Sequence, residues 1–467
     1  MPFFAPPKRA FHAQFFSGPR AKGLAVFLLL SGVIVLLQCP DRAQTTRVLV
    51  GFGLSTAGWL LALGQSWKGR SLALIVGIGL LCRLLWLAVP PLLSDDWVRY
   101  LWDGLLSQAG LNPYEALPSS MPAFAPHLLG QMNSPDYFSI YPPMAQAVFS
   151  AAVWLGGADN LPGMLLVLRL ILFAAECLTI GLLYSLLPAL RKEKVLVYAL
   201  APLALMETAG NIHLEGLAIC FSLLAVWCFH RWSIAAAHFG RKGSWFQREG
   251  WVIPASLALA AAIGTKLHPV LLLLPLPCWI GWKRSMAVAS MSAAFVFASF
   301  VPYWSPAVAA NVLDSMDLYF RTFEFNGSVY HTAKWLGWQL SGYNQIALIG
   351  PGLGLLAACT IIGICWYRKP KSAQPYLATL FWIAIVHQAL ATTVHPWYLL
   401  PMLAWSVFTP YSFGRAWAAL VPLTYVAFAS PEFHLPAWVL TVEYGTVLLV
   451  FLADFARKRT IVPRRIA

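Results

Sequence analysis

Ile346-Ala-Leu-Ile-Gly-Pro-Gly-Leu-Gly-Leu-Leu-Ala-Ala-Cys-Thr-Ile-Ile-Gly-Ile-Cys-Trp-Tyr367 contains no charged residue and stops at Arg368-Lys-Pro-Lys371. Coiled as a helix, a run of this length is about 30 Å long, the thickness of the hydrocarbon core of a bilayer. One such run would also suit the buried helix of a soluble domain. This chain repeats it. Gly23–Gln38, Val48–Trp67 and Ser285–Pro302 are likewise uncharged, Ser71–Val89 holds only Arg83, and Leu165–Leu187 holds only Arg169 and Glu176. Of the 467 residues, 59% are hydrophobic and 11% charged, against about 25% charged in soluble domains. So many apolar runs cannot all be the core of one soluble fold. The expected fold is an all-α integral membrane protein, a single polytopic domain over residues 1–467 with about 13–14 transmembrane helices.

The formal net charge is +14. The basic residues gather at Lys68–Arg70, Arg191–Lys194, Arg231–Arg248, Lys283–Arg284, Arg368–Lys371, Arg415 and Arg457–Arg465. Short basic loops orient a membrane protein rather than bind nucleic acid, so no nucleic-acid partner is expected. These loops alternate with loops 92–141, 207–216, 265–268, 305–345, 391–397 and 430–435, which carry few basic residues. The alternation places both termini in the cytoplasm of a multi-pass cell-membrane protein, with the second set of loops outside. Loop 39–47 should also be outside, yet it holds Arg42 and Arg47. Pro142–Leu155 is short enough to dip into the outer interface without crossing. The eight cysteines form no CxxC pair, so they read as small buried side chains rather than a metal or redox centre.

Neither large outer loop is long enough for a typical soluble catalytic domain of about 100 residues, so any active site lies at the membrane surface. The first of them contains Ser94-Asp-Asp-Trp-Val-Arg-Tyr-Leu-Trp-Asp-Gly-Leu-Leu-Ser-Gln108. Trp97, Val98, Leu101, Trp102, Leu105 and Leu106 recur as one helical stripe. Asp95, Asp96, Arg99, Tyr100, Asp103, Gly104, Ser107 and Gln108 fall on the other face. Ser94 suits an N-cap and two aspartates suit the first turn. The expected element is an amphipathic helix flat on the outer interface, its charged face toward water or a cavity. A purely structural reading caps the helix with Asp95 and Asp96 and pairs Asp95 with Arg99 at i+4. Three aspartates and an arginine on one face, in a chain with 18 acidic residues, favour function.

Three more clusters sit where apolar spans end. They are Glu207-Thr-Ala-Gly-Asn-Ile-His213-Leu-Glu215, Lys266-Leu-His268-Pro and His395-Pro-Trp-Tyr398. Ionisable groups at membrane depth are costly and mark function by default, although any one histidine alone is more often structural. Their shared sidedness lets all of them reach one outward cavity. Loop 305–345 adds Asp314, Asp317, Tyr319, Arg321, Glu324 and Asn326, either a lid or a solvated loop in the aromatic belt.

Asp96-Trp-Val-Arg-Tyr100, Gly110-Leu-Asn-Pro-Tyr114, Tyr141-Pro-Pro143, Lys266-Leu-His-Pro269 and His395-Pro-Trp-Tyr398 together resemble the polytopic C-type glycosyltransferases that use polyprenyl-phosphate sugars. The chain is most similar to bacterial polyprenyl-phosphate-mannose-dependent mannosyltransferases, over roughly residues 70–410. Three spans precede the aspartate loop, where the family's simplest pattern has one. The resemblance implies transfer of a hexose, mannose by family, from a polyprenyl-phosphate carrier to a glycan or glycolipid acceptor in the cell envelope. It also implies an aspartate base, which fits Asp96 with Asp95 as the alternative, and no metal or other cofactor. Arg99, Tyr100, Asp103, Asn112, Tyr114, Tyr141, His213, Glu215, Lys266, His268, Arg321, His395 and Tyr398 are the substrate-binding candidates. A lipid phosphate leaves as a stable anion, so such a reaction needs one base and cations for the phosphate. The competing reading is a multispan transporter or a lipid-linked glycan flippase, to which the in-span charges Arg83, Arg169 and Glu176 lend support.

Overall fold

The computed structural model describes residues 18–239, 244–430 and 432–461. It is an all-α bundle. The only strand-like pairing among the described residues is an isolated bridge from Phe325 and Asn326 to Thr393. Among the described residues, eight helical segments are long and apolar enough to cross a bilayer: Pro19–Leu37, Thr45–Leu63, Arg70–Ala88, Leu161–Leu186, Glu215–His238, Trp282–Tyr303, Ile346–Arg368 and Ala437–Arg457. Pro143–Gly156, His268–Ile280 and Phe413–Ala429 are shorter, as are Val252–Thr265 and Ala373–Ala389. The expected 13–14 crossings, at about 20 residues each, require these shorter helices to cross as well. Prolines divide two of them into pieces: Pro269 stands in the first turn of His268–Leu273, Pro277 in that of Leu276–Ile280 and Pro422 in that of Val421–Ala429, where a missing N–H ends the preceding helix.

The first pair, α1 (Pro19–Leu37) and α2 (Thr45–Leu63), packs through small residues. A Cβ on Gly32 would lie 2.2 Å from Ser55 Oγ, and one on Gly58 would lie 2.4 Å from the backbone nitrogen of Leu29. Lipid is as apolar as leucine, so close backbone approach supplies the attraction between such helices. Helix α3 (Arg70–Leu84) runs into a turn over Leu85–Ala88 and delivers the chain to α4 (Asp96–Gln108).

Helix α4 forms where the stripe placed it, but it does not lie with its polar face in water. Arg99, Tyr100, Asp103 and Gly104 are buried together with Trp97, Val98, Leu101, Trp102 and Leu106. The polar face packs on α5 (Pro143–Gly156). There Gln146 Nε2 and Ser139 Oγ both donate to Asp103 Oδ2, at 2.9 and 2.5 Å. The buried Asp103 carboxylate is tolerable because Ser139, Gln146 and Arg99 all donate to it. Ser94 Oγ accepts from the Asp96 N–H at 3.2 Å, while Asp95 holds the cap position without a side-chain cap bond.

The in-span charges are paired inside the bundle. Arg83 Nη2 lies 2.8 Å from Glu176 Oε2 on α6 (Leu161–Leu186). Tyr198 donates to the other oxygen of Glu176 at 2.8 Å, and Arg83 Nη1 donates to the carbonyl of Ala199 at 2.7 Å. Arg169 donates to the carbonyls of Ala209 and Gly210, each at 3.1 Å. These carbonyls end a wide helical turn over Leu205–Gly210. A fixed α6 therefore fixes the polar segment that leads into α7 (Glu215–Phe239).

Candidate active site

Four separated stretches meet beside the first turn of α4. Asp96 Oδ2 lies 3.8 Å from Nδ1 of His213, and His213 Nε2 lies 3.4 Å from Glu207 Oε2. Lys266 follows α8 (Val252–Thr265) and lies 3.0 Å from Glu215 Oε1. Its ammonium also sits 5.3 Å from the centre of the Tyr141 ring, within cation–π range. Tyr141 packs edge-on against Tyr100 at 5.1 Å, and Tyr100 stacks on Phe149 at 4.6 Å.

The histidines form a stacked wall. The His213 ring lies 3.9 Å from Trp397 at 16°, Trp397 lies 4.5 Å from His395 at 1°, and His395 lies 4.9 Å from Phe325. Phe325 is positioned by Asn326. Buried with φ 52°, Asn326 donates to Glu443 Oε1 at 3.2 Å. Tyr398 packs edge-on against His395 at 5.4 Å. His268 is half-buried two residues beyond Lys266.

The two acidic neighbours on α4 differ sharply. Asp95 is bonded to Arg42 at 2.7 Å. Among the described residues, the one hydrogen bond to the Asp96 carboxylate is a long one, from Asn133 Nδ2 at 3.4 Å. Burial raises the Asp96 carboxyl above the ordinary aspartate range; Lys266 pulls against that rise, and Glu215 and Asp95 add to it. The same burial, with Lys266 nearby, lowers His395 to about 3 and drives His213 well below the usual histidine range, so both rings are neutral at pH 7. Burial lifts Glu207 to about 7 although Tyr425 and Asn211 donate to it. Among the described residues, Lys266 is thus the one cation electrostatically coupled to Asp96, His213 and His395 together.

Other candidates serve the scaffold. Arg99 donates to Asp103 at 2.7 Å and to the carbonyls of Ser134 and Tyr137. The i+4 partner of Arg99 is therefore Asp103 and not a carboxylate preceding it. Asn112 Nδ2 donates to the carbonyl of Tyr303 at 2.8 Å, while Tyr114 Oη donates to the carbonyl of Tyr141 at 2.7 Å. The first bond ties the first outer loop to the end of the Trp282–Tyr303 span and the second closes that loop on itself, while the Ser315 hydroxyl, accepting from the Phe138 N–H at 3.1 Å, ties it to the second outer loop. Arg321 lies in the helix Pro306–Thr322, and its side chain is outside the described residues, as is that of Tyr319.

Arg42 and Tyr425 were not among the residues singled out from sequence. Arg42 comes from the loop between the first two spans and also lies over the Phe428 ring at 4.5 Å. Its one sequence signal was its presence in a loop otherwise expected to avoid positive charge.

A polytopic helical bundle that gathers carboxylates, a lysine and neutral histidines beside an interfacial helix has the makings of a membrane-embedded transferase. Over residues 20–283 the chain matches the family model described as alpha-(1->6)-mannopyranosyltransferase, N-terminal domain. That is more than half of its length, and the chain belongs to this family of polyprenyl-phosphate-mannose-dependent mannosyltransferases. It is therefore a glycosyltransferase. No curated protein and no solved structure matches the chain.

Proposed function

We propose that the protein transfers a mannosyl group from a polyprenyl-phosphate carrier to an acceptor hydroxyl on a glycan or glycolipid. The transfer takes place on the non-cytoplasmic face, with inversion, and Asp96 is the general base. The observation that carries the assignment is the contrast between neighbours: Asp95 is neutralised by Arg42 at 2.7 Å, and Asp96 is the carboxylate left to accept a proton. A raised proton affinity makes Asp96 a stronger base than an exposed aspartate. The acceptor O–H bond breaks toward Asp96 as the acceptor oxygen bonds the anomeric carbon. The bond from that carbon to the phosphate oxygen breaks, and its electron pair leaves with the phosphate. No acid is needed for that leaving group. Lys266 supplies positive charge where the phosphate departs, and a β-linked donor gives an α-linked product.

In this reading the 305–345 segment closes over the site, and loop charge sets the outward sidedness. The in-span charges that would favour transport are satisfied internally by Glu176, Tyr198 and backbone carbonyls. The deciding experiment supplies radiolabelled polyprenyl-phosphate mannose and a lipid extract to membrane-embedded protein. Label should enter a new product with the wild type and not with Asp96→Asn. Transfer by both would keep the enzyme and discard Asp96 as base; transfer by neither would discard the donor.

A further inference from the structure

The strongest unexplained feature of the site is His213. Its side chain is fully buried, and neither ring nitrogen has a hydrogen-bond partner. Buried polar atoms are nearly always paired, so an orphaned pair calls for a reason. The surroundings hold the ring in one attitude. It lies flat on Trp397, its backbone N–H donates to the carbonyl of Glu207 at 2.9 Å, and the preceding Ile212 is buried with φ 64°. A β-branched residue in the left-handed region is strained, and such strain persists where the surroundings enforce it. The result points Nδ1 at Asp96 and Nε2 at Glu207.

We propose that His213 relays the proton from Asp96 to Glu207 after sugar transfer, restoring the base without bulk water. The proposal rests on Asp96 as base. Once Asp96 has taken the acceptor's proton, its O–H donates to Nδ1 while the Nε2–H proton passes to Glu207 Oε2. Asp96 returns to the carboxylate, His213 to a neutral ring of the other tautomer, and Glu207 becomes the acid. Both separations exceed a hydrogen bond and close as the site contracts around substrate, as catalytic contacts commonly do. Glu207 is suited to be the store. Tyr425 Oη donates to its Oε1, Asn211 Nδ2 donates to its Oε2 at 3.0 Å, and its affinity for a proton lies near neutrality. The titratable groups facing the ring are Asp96 from α4, Glu207 from its own segment, Lys266 from the end of α8 and His395 across Trp397. Glu215 and Tyr425 stand behind them. Among the described residues, none but the two carboxylates lies within ion-pair distance of a ring nitrogen.

The test is kcat and KM as functions of pH for the wild type, Asp96→Asn, His213→Gln, Glu207→Gln and Tyr425→Phe in reconstituted membranes. His213→Gln and Glu207→Gln should each lower kcat by roughly 10²-fold, the low end for a positioned proton carrier, with donor KM unchanged. Tyr425→Phe removes the hydroxyl's bond to Glu207 and the bond it accepts from Asn211 Nδ2 at 3.3 Å, and leaves both side chains in place, so it should shift the acid limb of the kcat profile while keeping most of the rate. Wild-type kcat profiles in the His213 and Glu207 variants, or a raised KM at unchanged kcat, would overturn the relay while Asp96→Asn still abolishes transfer. Full activity in Asp96→Asn would instead overturn the base, and the relay with it.

Discussion

Arg42, from the loop joining the first two spans, bonds Asp95 at 2.7 Å while the adjacent Asp96 carries no cation of its own at that range. Sequence leaves the two aspartates equivalent, and this contact separates them. Asp95→Asn should keep activity within about tenfold of wild type, and Asp96→Asn should lose about 10³-fold or more. Both members of the Arg42–Asp95 pair are about one-third exposed, so Arg42→Ala should change stability by less than about 1 kcal/mol. Mannosyl transfer and thermal unfolding of the three variants decide this.

The acid limb of the kcat/KM profile, which reports the base of the free enzyme, follows from Asp96. The base must be ionised, and its proton affinity is raised by burial. Activity should therefore fall, as pH is lowered, at a higher pH than an exposed aspartate near 3.9 would give. Lys266 holds that affinity down. Lys266→Met should move the acid limb further toward neutrality and also lower kcat, since the same cation faces the departing phosphate. An acid limb that stays in place after this change would remove Lys266 from the site's electrostatics.

The fold was legible wherever hydrophobicity alone decides. Uncharged runs such as Ile346–Tyr367 became long helices, and the Trp97-to-Leu106 stripe became α4. Periodicity separates its polar from its apolar positions without saying what the polar ones touch. Gln146 and Ser139, more than 35 residues away, turn Asp103 into a buried acceptor. The convergence of Asp96, His213, Glu215, Lys266 and His395 was readable from their shared place at span ends. The roles of Arg42, Tyr425 and Glu443 were not, because each acts through a contact with a segment remote in sequence.

Arg83 and Glu176 face each other fully buried, with side-chain exposures of 0% and 1%. Removing one charge leaves the other stranded at membrane depth, at a cost of about 3–5 kcal/mol. Arg83→Met should lower the thermal midpoint in detergent strongly. Arg83→Met combined with Glu176→Leu should recover part of that loss. If the pair instead bound a coupling ion, stability of the wild type would depend on that ion; a midpoint indifferent to sodium and to pH between 6 and 8 is the expected outcome.

Gly104 sets how closely α4 approaches α5. A Cβ there would lie 2.5 Å from the carbonyl oxygen of Phe149 and 2.8 Å from a methyl of Val153. The first of these is backbone, which cannot rotate away, so Gly104→Ala must push the helices apart. Asp103 lies next in sequence and depends on the same approach for its bonds to Ser139 and Gln146. Asp96 rides two turns earlier on the same rigid helix, so the separation carries the base away from His213 and Lys266. Gly104→Ala should thus lower kcat by about 10²-fold, the penalty expected for roughly 1 Å of misplacement, and Gly104→Val should do worse. Gly53, where a Cβ meets nothing within 4 Å, provides the control: Gly53→Ala should leave transfer and thermal midpoint unchanged. Equal rates for Gly104→Ala and Gly53→Ala would show that α4 is not held to the site by this contact.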